Sequence, residues 1–338
     1  MTQNIETAAA FGTPQQAAHE GRLAYLPVAL FGSVMGLTGL SSAWHLASQM
    51  YGLALWVSQL IGLLALLAFV LVSVGYAVKA ITAPHAVKAE YLHPIAGNLF
   101  GTVFISLLLL PISLAAYSPL LARALWVIGA TGMIIFAWVI VSRWLSQRQQ
   151  AAHATPAWIV PVVGLLDIPL AMPTLQWDGI ADVGMFALAV GLFFAIPLFT
   201  LIFSRLLFEE PIGAGLRPSL LILLAPFAVG FSAYVSLTGE VDRFASALYM
   251  LTLFFLAILL GRLRYLAKSC PFRLSWWSVG FPLAAATSCA LRYAGHAPGV
   301  FTNGVAILLL AGTTLVIFGM AVRTLLGIAQ GKLRALAG

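Results

Sequence analysis

The sequence predicts an all-α, polytopic integral membrane protein. Three observations carry that reading: an apolar composition, repeated apolar runs of about 20 residues, the length that spans a bilayer as a helix, and a one-sided distribution of basic residues. Of the 338 residues, 62% are hydrophobic and only 8% are charged, and the mean hydropathy is +1.01. A soluble domain carries about 25% charged residues. The net charge of +7 reports topology here rather than nucleic-acid binding, because basic residues in membrane proteins mark the cytoplasmic loops.

Ten apolar runs are marked, over residues 23–47, 52–78, 95–117, 120–145, 157–175, 180–206, 218–237, 244–266, 275–295 and 298–326. Odd-numbered connections, such as 48–51 and 118–119, are short. Even-numbered ones, such as 79–94 and 205–217, are longer. The chain therefore reads as five helical hairpins. Residues 1–21 form a polar N-terminal tail with no cleavable signal peptide, residues 22–328 the membrane domain, and residues 329–338 a short C-terminal tail.

Charge placement tests the span count. One side receives Arg22, Lys79, Lys88, Arg143 and Arg148, then every basic residue from Arg205 to Arg334 except two; the other receives Arg123, Arg243 and Arg292. The division is 14 against 3 of the 17 Lys and Arg. A missed or invented span would invert everything downstream and spoil it. The positive-inside rule then puts both termini in the cytoplasm, and a multi-pass protein of a bacterial inner membrane is expected.

The hairpins repeat. The first helix of each has a proline in or at the mouth of its run: Pro27, Pro94, Pro161, Pro226 and Pro282, at intervals of 67, 67, 65 and 56 residues. A fixed period of this size indicates an internal repeat. Proline lacks an N–H and bends a helix interior. Irregular backbone at membrane depth is tolerated only in protein or beside a water-filled cavity, so five bent inner helices surrounded by five outer ones would leave a central passage. Prolines are also common in membrane helices without any such role. Gly32 and Gly36, four apart on the first helix, share a face that either packs against a neighbour or opens to a pore. Ser33, Thr38, Ser232 and Ser278 are candidate lining hydroxyls.

The ninth run contains Ser275-Trp276-Trp277-Ser278-Val279-Gly280-Phe281-Pro282. A large ring at a bend, with small residues around it, suits either a plug across a narrow passage or an ordinary packed position. Chemistry of other kinds has little support. There is no metalloprotease, nucleophile-elbow or phosphate-loop motif, so no enzyme, cofactor or metal is expected. Cys270 and Cys289 imply no disulfide framework. Trp44, Trp56, Trp126, Trp177, Trp276 and Trp277 fall near span ends, as an aromatic belt would, and His45, His93 and His296 are read as interfacial.

Taken in order, Pro27-x3-Phe31-Gly32-x3-Gly36-Leu37, His93-Pro94, Pro161-x-Val163, Leu216-Arg217 with Leu224-Ala225-Pro226, Trp277-Ser278-x2-Phe281, Arg323-Thr324 and Gln330-Gly331-Lys332-Leu333 resemble the tellurite-resistance/dicarboxylate transporter family. That family includes bacterial TehA and the slow anion channels of plant guard cells. The resemblance runs over nearly the whole chain. It implies ten transmembrane helices in five hairpins, with pseudo-fivefold symmetry about a pore in each protomer, and a homotrimer. It implies a phenylalanine in the ninth helix that occludes the pore, here Phe281. Pro27, Pro161, Pro226 and Pro282 would face the pore axis, with Gly32 and Gly36 near the gate. The transported species it implies are small anions: chloride or nitrate, sulfite, malate and other dicarboxylates, and tellurite by association.

One departure stands out. Where relatives show Asn-Phe after the fifth-helix proline, this chain has Leu165-Leu166-Asp167. An acid within a span is a functional-site hypothesis by default. Ionised, Asp167 would repel an anion. Three alternatives are open: it is protonated and couples proton to anion movement, it pairs with a base such as Arg292, or it lies hydrogen-bonded near the outer surface. The first of these would make the protein a proton-coupled carrier of malate, sulfite or tellurite rather than a channel.

Overall fold

The computed structural model describes residues 23–337, apart from the side chains of 263–269. The expected N-terminal tail, Arg22, and the side chains of Arg264 and Lys268 lie outside that description. No strand occurs among the described residues. Eight helices are long and apolar enough to cross a membrane: α2 (Leu55–Thr82), α3 (Ala96–Leu114), α4 (Pro119–Ser146), α5 (Pro156–Leu175), α6 (Ala181–Phe208), α7 (Ala214–Thr238), α8, whose apolar stretch is Arg243–Arg262, and α10 (Val300–Ala329). Two further helices, α1 (Phe31–Tyr51) and α9 (Gly280–His296), fall outside that set. Their sequences are rich in Gly, Ala, Ser and Thr, as suits helices that face protein on most sides.

Burial alternates along the chain. The apolar windows of α3, α5 and α7 are 56, 78 and 67% buried, against 17 to 39% for α2, α4, α6, α8 and α10. α1 and α9 belong with the buried group. Each buried segment packs against the exposed helix that follows it. The buried segments also touch one another in sequence: α1 packs on α3, α3 on α5, α5 on α7, α7 on α9, and α9 back on α1. The exposed faces are continuous with apolar side chains such as Leu63, Leu71, Phe193 and Leu308, a surface only lipid or another apolar partner can cover.

The buried segments start in an unusual way. Each enters as a 3-10 helix and then becomes α-helical: Val28–Leu30 before α1, Ala96–Phe100 in α3, Pro156–Ile159 in α5, Ala214–Leu224 in α7 and Leu274–Val279 before α9. The repeated prolines mark these changes instead of bending helix interiors. Pro161 is second in the α-helical turn Val160–Val163, Pro226 second in Ala225–Thr238, and Pro282 third in Gly280–His296. Pro27 precedes the first 3-10 turn with extended backbone. The first N–H groups of an α-helix have no intrahelical acceptor, so proline costs nothing there.

Indole donors reach two backbone carbonyls beside the 3-10 turns. Trp126 Nε1 donates to Ile168 O at 2.9 Å, and Trp158 Nε1 to Pro94 O at 3.2 Å. Trp126 and Trp277 are only 3 and 2% exposed, which corrects the expected interfacial belt at those positions. Trp56, at 63% exposed, still fits it. The connection over residues 79–94, read as a loop, contains the helix Pro84–Leu92.

α1 and α9 cross at a pair of glycines. A Cβ built on Gly36 would lie 3.4 Å from Gly280 Cα, and one on Gly280 the same distance from Gly36 Cα. Larger residues would force the backbones apart. This contact fixes the start of α9, and so the position of Phe281.

Candidate functional site

Two cavities lie inside the bundle and share two lining side chains. The first, of about 110 Å³, is lined by the N-terminal halves of the buried segments, from Ala29, Leu99, Thr155, Leu216 and Leu274 inward to Phe281. The second, of about 270 Å³, is lined by their C-terminal halves, including Ser42, Ile112, Thr174, Ser232 and Ser288. Phe281 and Val229 border both.

Helical spacing builds this lining. On α9, Phe281, Ala285, Ser288 and Arg292 all border the second cavity, spaced by four, three and four, which is one face of an α-helix. On α1 the stripe runs from Gly32 and Met35 in the first cavity to Gly39, Ser42 and His45 in the second. In chain order, the last first-cavity residues of the first four buried segments are Met35, Ile105, Asp167 and Val229, and Phe281 of α9 lines the same cavity. Four members of this constriction are apolar, and Asp167 alone is ionisable.

Phe281 is 7% exposed and Asp167 is 2% exposed. No hydrogen-bond partner reaches Asp167 Oδ1 among the described residues. The expected pair with Arg292 is not formed: Arg292 lines the second cavity and Asp167 the first. The ion pair among the described residues joins Lys79 and Glu90 instead. Asp167 is likewise not surface-exposed, because the 3-10 turn Gly164–Asp167 points it into the bundle. Arg292 Nε has no partner either, leaving a basic group beside the second cavity.

The other expected site residues divide. Gly32 and Pro282 line the first cavity. Pro27, Pro161 and Pro226 border neither cavity, since each starts a helix whose lining face lies a residue or two away. Gly36 faces Gly280 and not open space. Of the expected hydroxyls, Ser278 and Ser232 line the cavities and Ser33 and Thr38 do not; all four donate to carbonyls of their own helix region, Ser275 O, Ala228 O, Leu30 O and Val34 O. Gly39 was not singled out by sequence, although it lines the second cavity beside Phe281. The signal was present as Gly32, Gly36 and Gly39 on one helix, but spacing alone does not say which glycine meets a ring on a distant segment.

Residues 25–325 match the family model described as "SLAC1: Voltage-dependent anion channel". The S-type anion channel SLAH3 of Arabidopsis thaliana is 27% identical over 308 residues, 89% of this chain and 48% of that protein. The guard cell S-type anion channel SLAC1 of the same plant is 26% identical over 311 residues, 89% of this chain and 55% of that protein. The chain thus spans about half the length of these plant relatives. The tellurite resistance protein TehA homolog of Haemophilus influenzae is 26% identical over 310 residues, 91% of this chain and 92% of that protein. With a family model covering almost all of the described residues, the chain belongs to the SLAC1 voltage-dependent anion channel family.

Proposed function

We propose that this protein is an anion channel whose bore runs through the two cavities and is closed by the ring of Phe281. The observation that carries this reading is that Phe281 borders both cavities, so its ring stands between them. In this reading α1 and α9 complete ten spans, arranged as five antiparallel pairs with approximate fivefold repetition about the bore. Both termini face the cytoplasm of a bacterial inner membrane, and three copies assemble as a homotrimer. Small anions are the cargo, with chloride, nitrate, sulfite, malate and tellurite as the panel to test. The names of the relatives, S-type anion channels and a tellurite resistance protein, support that choice.

Solvation explains the design. An anion stripped of water in an apolar tube loses hydration worth many kcal/mol, so a conducting bore stays wet and binds weakly. Ser288 offers a hydroxyl without fixed charge at the second cavity, while Ser278 and Ser232 line the path with hydroxyls that already donate to Ser275 O and Ala228 O. Arg292 at the second cavity raises local anion concentration. The constriction of Met35, Ile105, Val229 and Phe281 excludes water when the ring is in place. Moving the ring off the axis is the opening step. A second reading, a proton-coupled carrier, is favoured by one observation only, the unpartnered carboxyl of Asp167 in the first cavity.

Proteoliposome flux of chloride, nitrate, sulfite and malate, measured for the wild type and Phe281→Ala, tests the channel. The variant is expected to raise passive flux of at least one anion by tenfold or more, about the effect of 1.4 kcal/mol off a barrier, with a reversal potential that follows the anion gradient. Equal flux in folded wild type and variant would end the proposal.

A further inference from the structure

The carboxyl of Asp167 is the one ionisable side chain at the constriction, and its surroundings are empty of charge. The elements packed against the turn Gly164–Asp167 bring it no ion-pair partner among the described residues. α3 carries no titratable side chain, and Asp167 is the only one in α5. From α4, Arg123 donates to Leu175 O and Gln176 O, and Arg143 to Tyr91 O. From α6, Asp182 is exposed and Arg205 Nε donates to Ala152 O. From α7, Arg217 Nε donates to Ile212 O and Tyr234 to Asp242 Oδ2. Across the bore, His45 and Arg292 border the other cavity. None of these groups forms an ion pair with Asp167.

The hydroxyls around the first cavity are mostly spent. Thr102, Ser219, Ser275 and Ser278 each donate to a backbone carbonyl at 2.6 to 2.8 Å. Thr155 Oγ1 is unpartnered, but it lies twelve residues before Asp167 at the start of the same segment. A rise of 1.5 to 2 Å per residue puts it roughly 20 Å away. At the constriction itself, hydrogen-bonding capacity is left on Asp167 alone.

We propose that Asp167 in its protonated form is the anion-binding group at the constriction, donating its O–H to the permeating anion, and that its ionised form bars passage. The proton is taken from water in the first cavity and returned to it. Anion flux is therefore coupled to acidity on the first-cavity side. The inference rests on the reading of the two cavities as one anion path. It follows from chemistry: a carboxylate is acceptor-only, whereas a carboxylic acid supplies one donor, and a like charge at contact distance repels in a low-dielectric site far more than in water.

The test uses full-length protein in proteoliposomes, with nitrate and chloride as probes, in a Phe281→Ala background and in the wild type. Flux with Asp167 present is expected to rise about tenfold or more from alkaline to acidic buffer on the first-cavity side. Asp167→Asn keeps a neutral donor and is expected to abolish the pH dependence while holding flux near the acidic level. Asp167→Ser keeps a smaller neutral donor and is expected to behave likewise, which guards against an Asn variant that fails to fold. Unchanged pH profiles in folded Asp167 variants that still conduct would overturn the role of Asp167 and leave the path intact. No anion flux in any Phe281→Ala protein would overturn both.

Discussion

The ring of Phe281 rests on Gly39. A Cβ built at Gly39 would lie 3.4 Å from Phe281 Cδ2 and 2.8 Å from the Cβ of Ala284. The second distance cannot be relieved by rotating a side chain, because both atoms are fixed to backbone. Gly39→Ala must therefore push α1 and α9 apart and move the seat of the ring. We expect a destabilisation of about 1–3 kcal/mol, typical of overpacking a close contact, together with higher basal anion flux. Gly304→Ala is the control, since nothing lies within 4 Å of a Cβ there. Thermal unfolding in detergent and proteoliposome flux measure both effects. A Gly39→Ala protein with wild-type stability would refute the contact.

Beside the first turn of the bundle, Lys79 and Glu90 form a buried clamp. Lys79 Nζ donates to Glu90 Oε2 at 2.6 Å and to Leu26 O at 2.7 Å. Glu90 also accepts from Tyr76 at 2.9 Å and from the Val28 backbone N–H at 2.7 Å. Lys79 is 3% exposed. The carboxylate thus holds the 3-10 turn Val28–Leu30 that leads into α1. Removing one partner strands the other charge, which costs about 3–5 kcal/mol for a buried pair. Lys79→Met and Glu90→Gln should each lower thermal stability strongly, and the double variant should cost much less than the sum of the two. Because the pair is buried, raising salt should change little. Additive losses would show that the two residues act separately.

The alternation of inner and outer segments was legible because it is written in composition. Lipid-facing helices need apolar side chains all round, while enclosed ones tolerate Gly, Ser and Thr, and the proline period tracked the enclosed set. The small residues beside Phe281 marked it as either a plug or a packed ring, and only the family resemblance favoured the plug. What could not be read was which atom of each turn faces inward. A 3-10 stretch rotates side chains by about 120° per residue instead of 100°, so a short one shifts every lining residue after it. Val229 and Val163 line the cavity where Pro226 and Pro161 were expected. Asp167 was noticed for its charge, but its pairing depended on distance across the bundle, which no local pattern encodes. The helix Pro84–Leu92 was hidden by polar residues, and its acid, Glu90, is only partly buried.

Arg292 places a positive charge beside the second cavity. It is half-buried on the cavity-lining face of α9, in line with Phe281, Ala285 and Ser288. Its Nε has no partner, so the guanidinium is not neutralised by a carboxylate among the described residues. A fixed positive charge at the mouth of a narrow cavity concentrates anions there and speeds their entry. Arg292→Gln should therefore lower anion entry from the second-cavity side roughly tenfold at low ionic strength, with a smaller loss at high salt where the charge is screened. Arg292→Lys keeps the charge and should retain most of the flux. Exit from the first-cavity side should be less affected, because the charge lies beyond Phe281. Flux measured in both directions across a range of ionic strengths checks this, and equal losses at low and high salt would mean that Arg292 acts through packing and not through its charge.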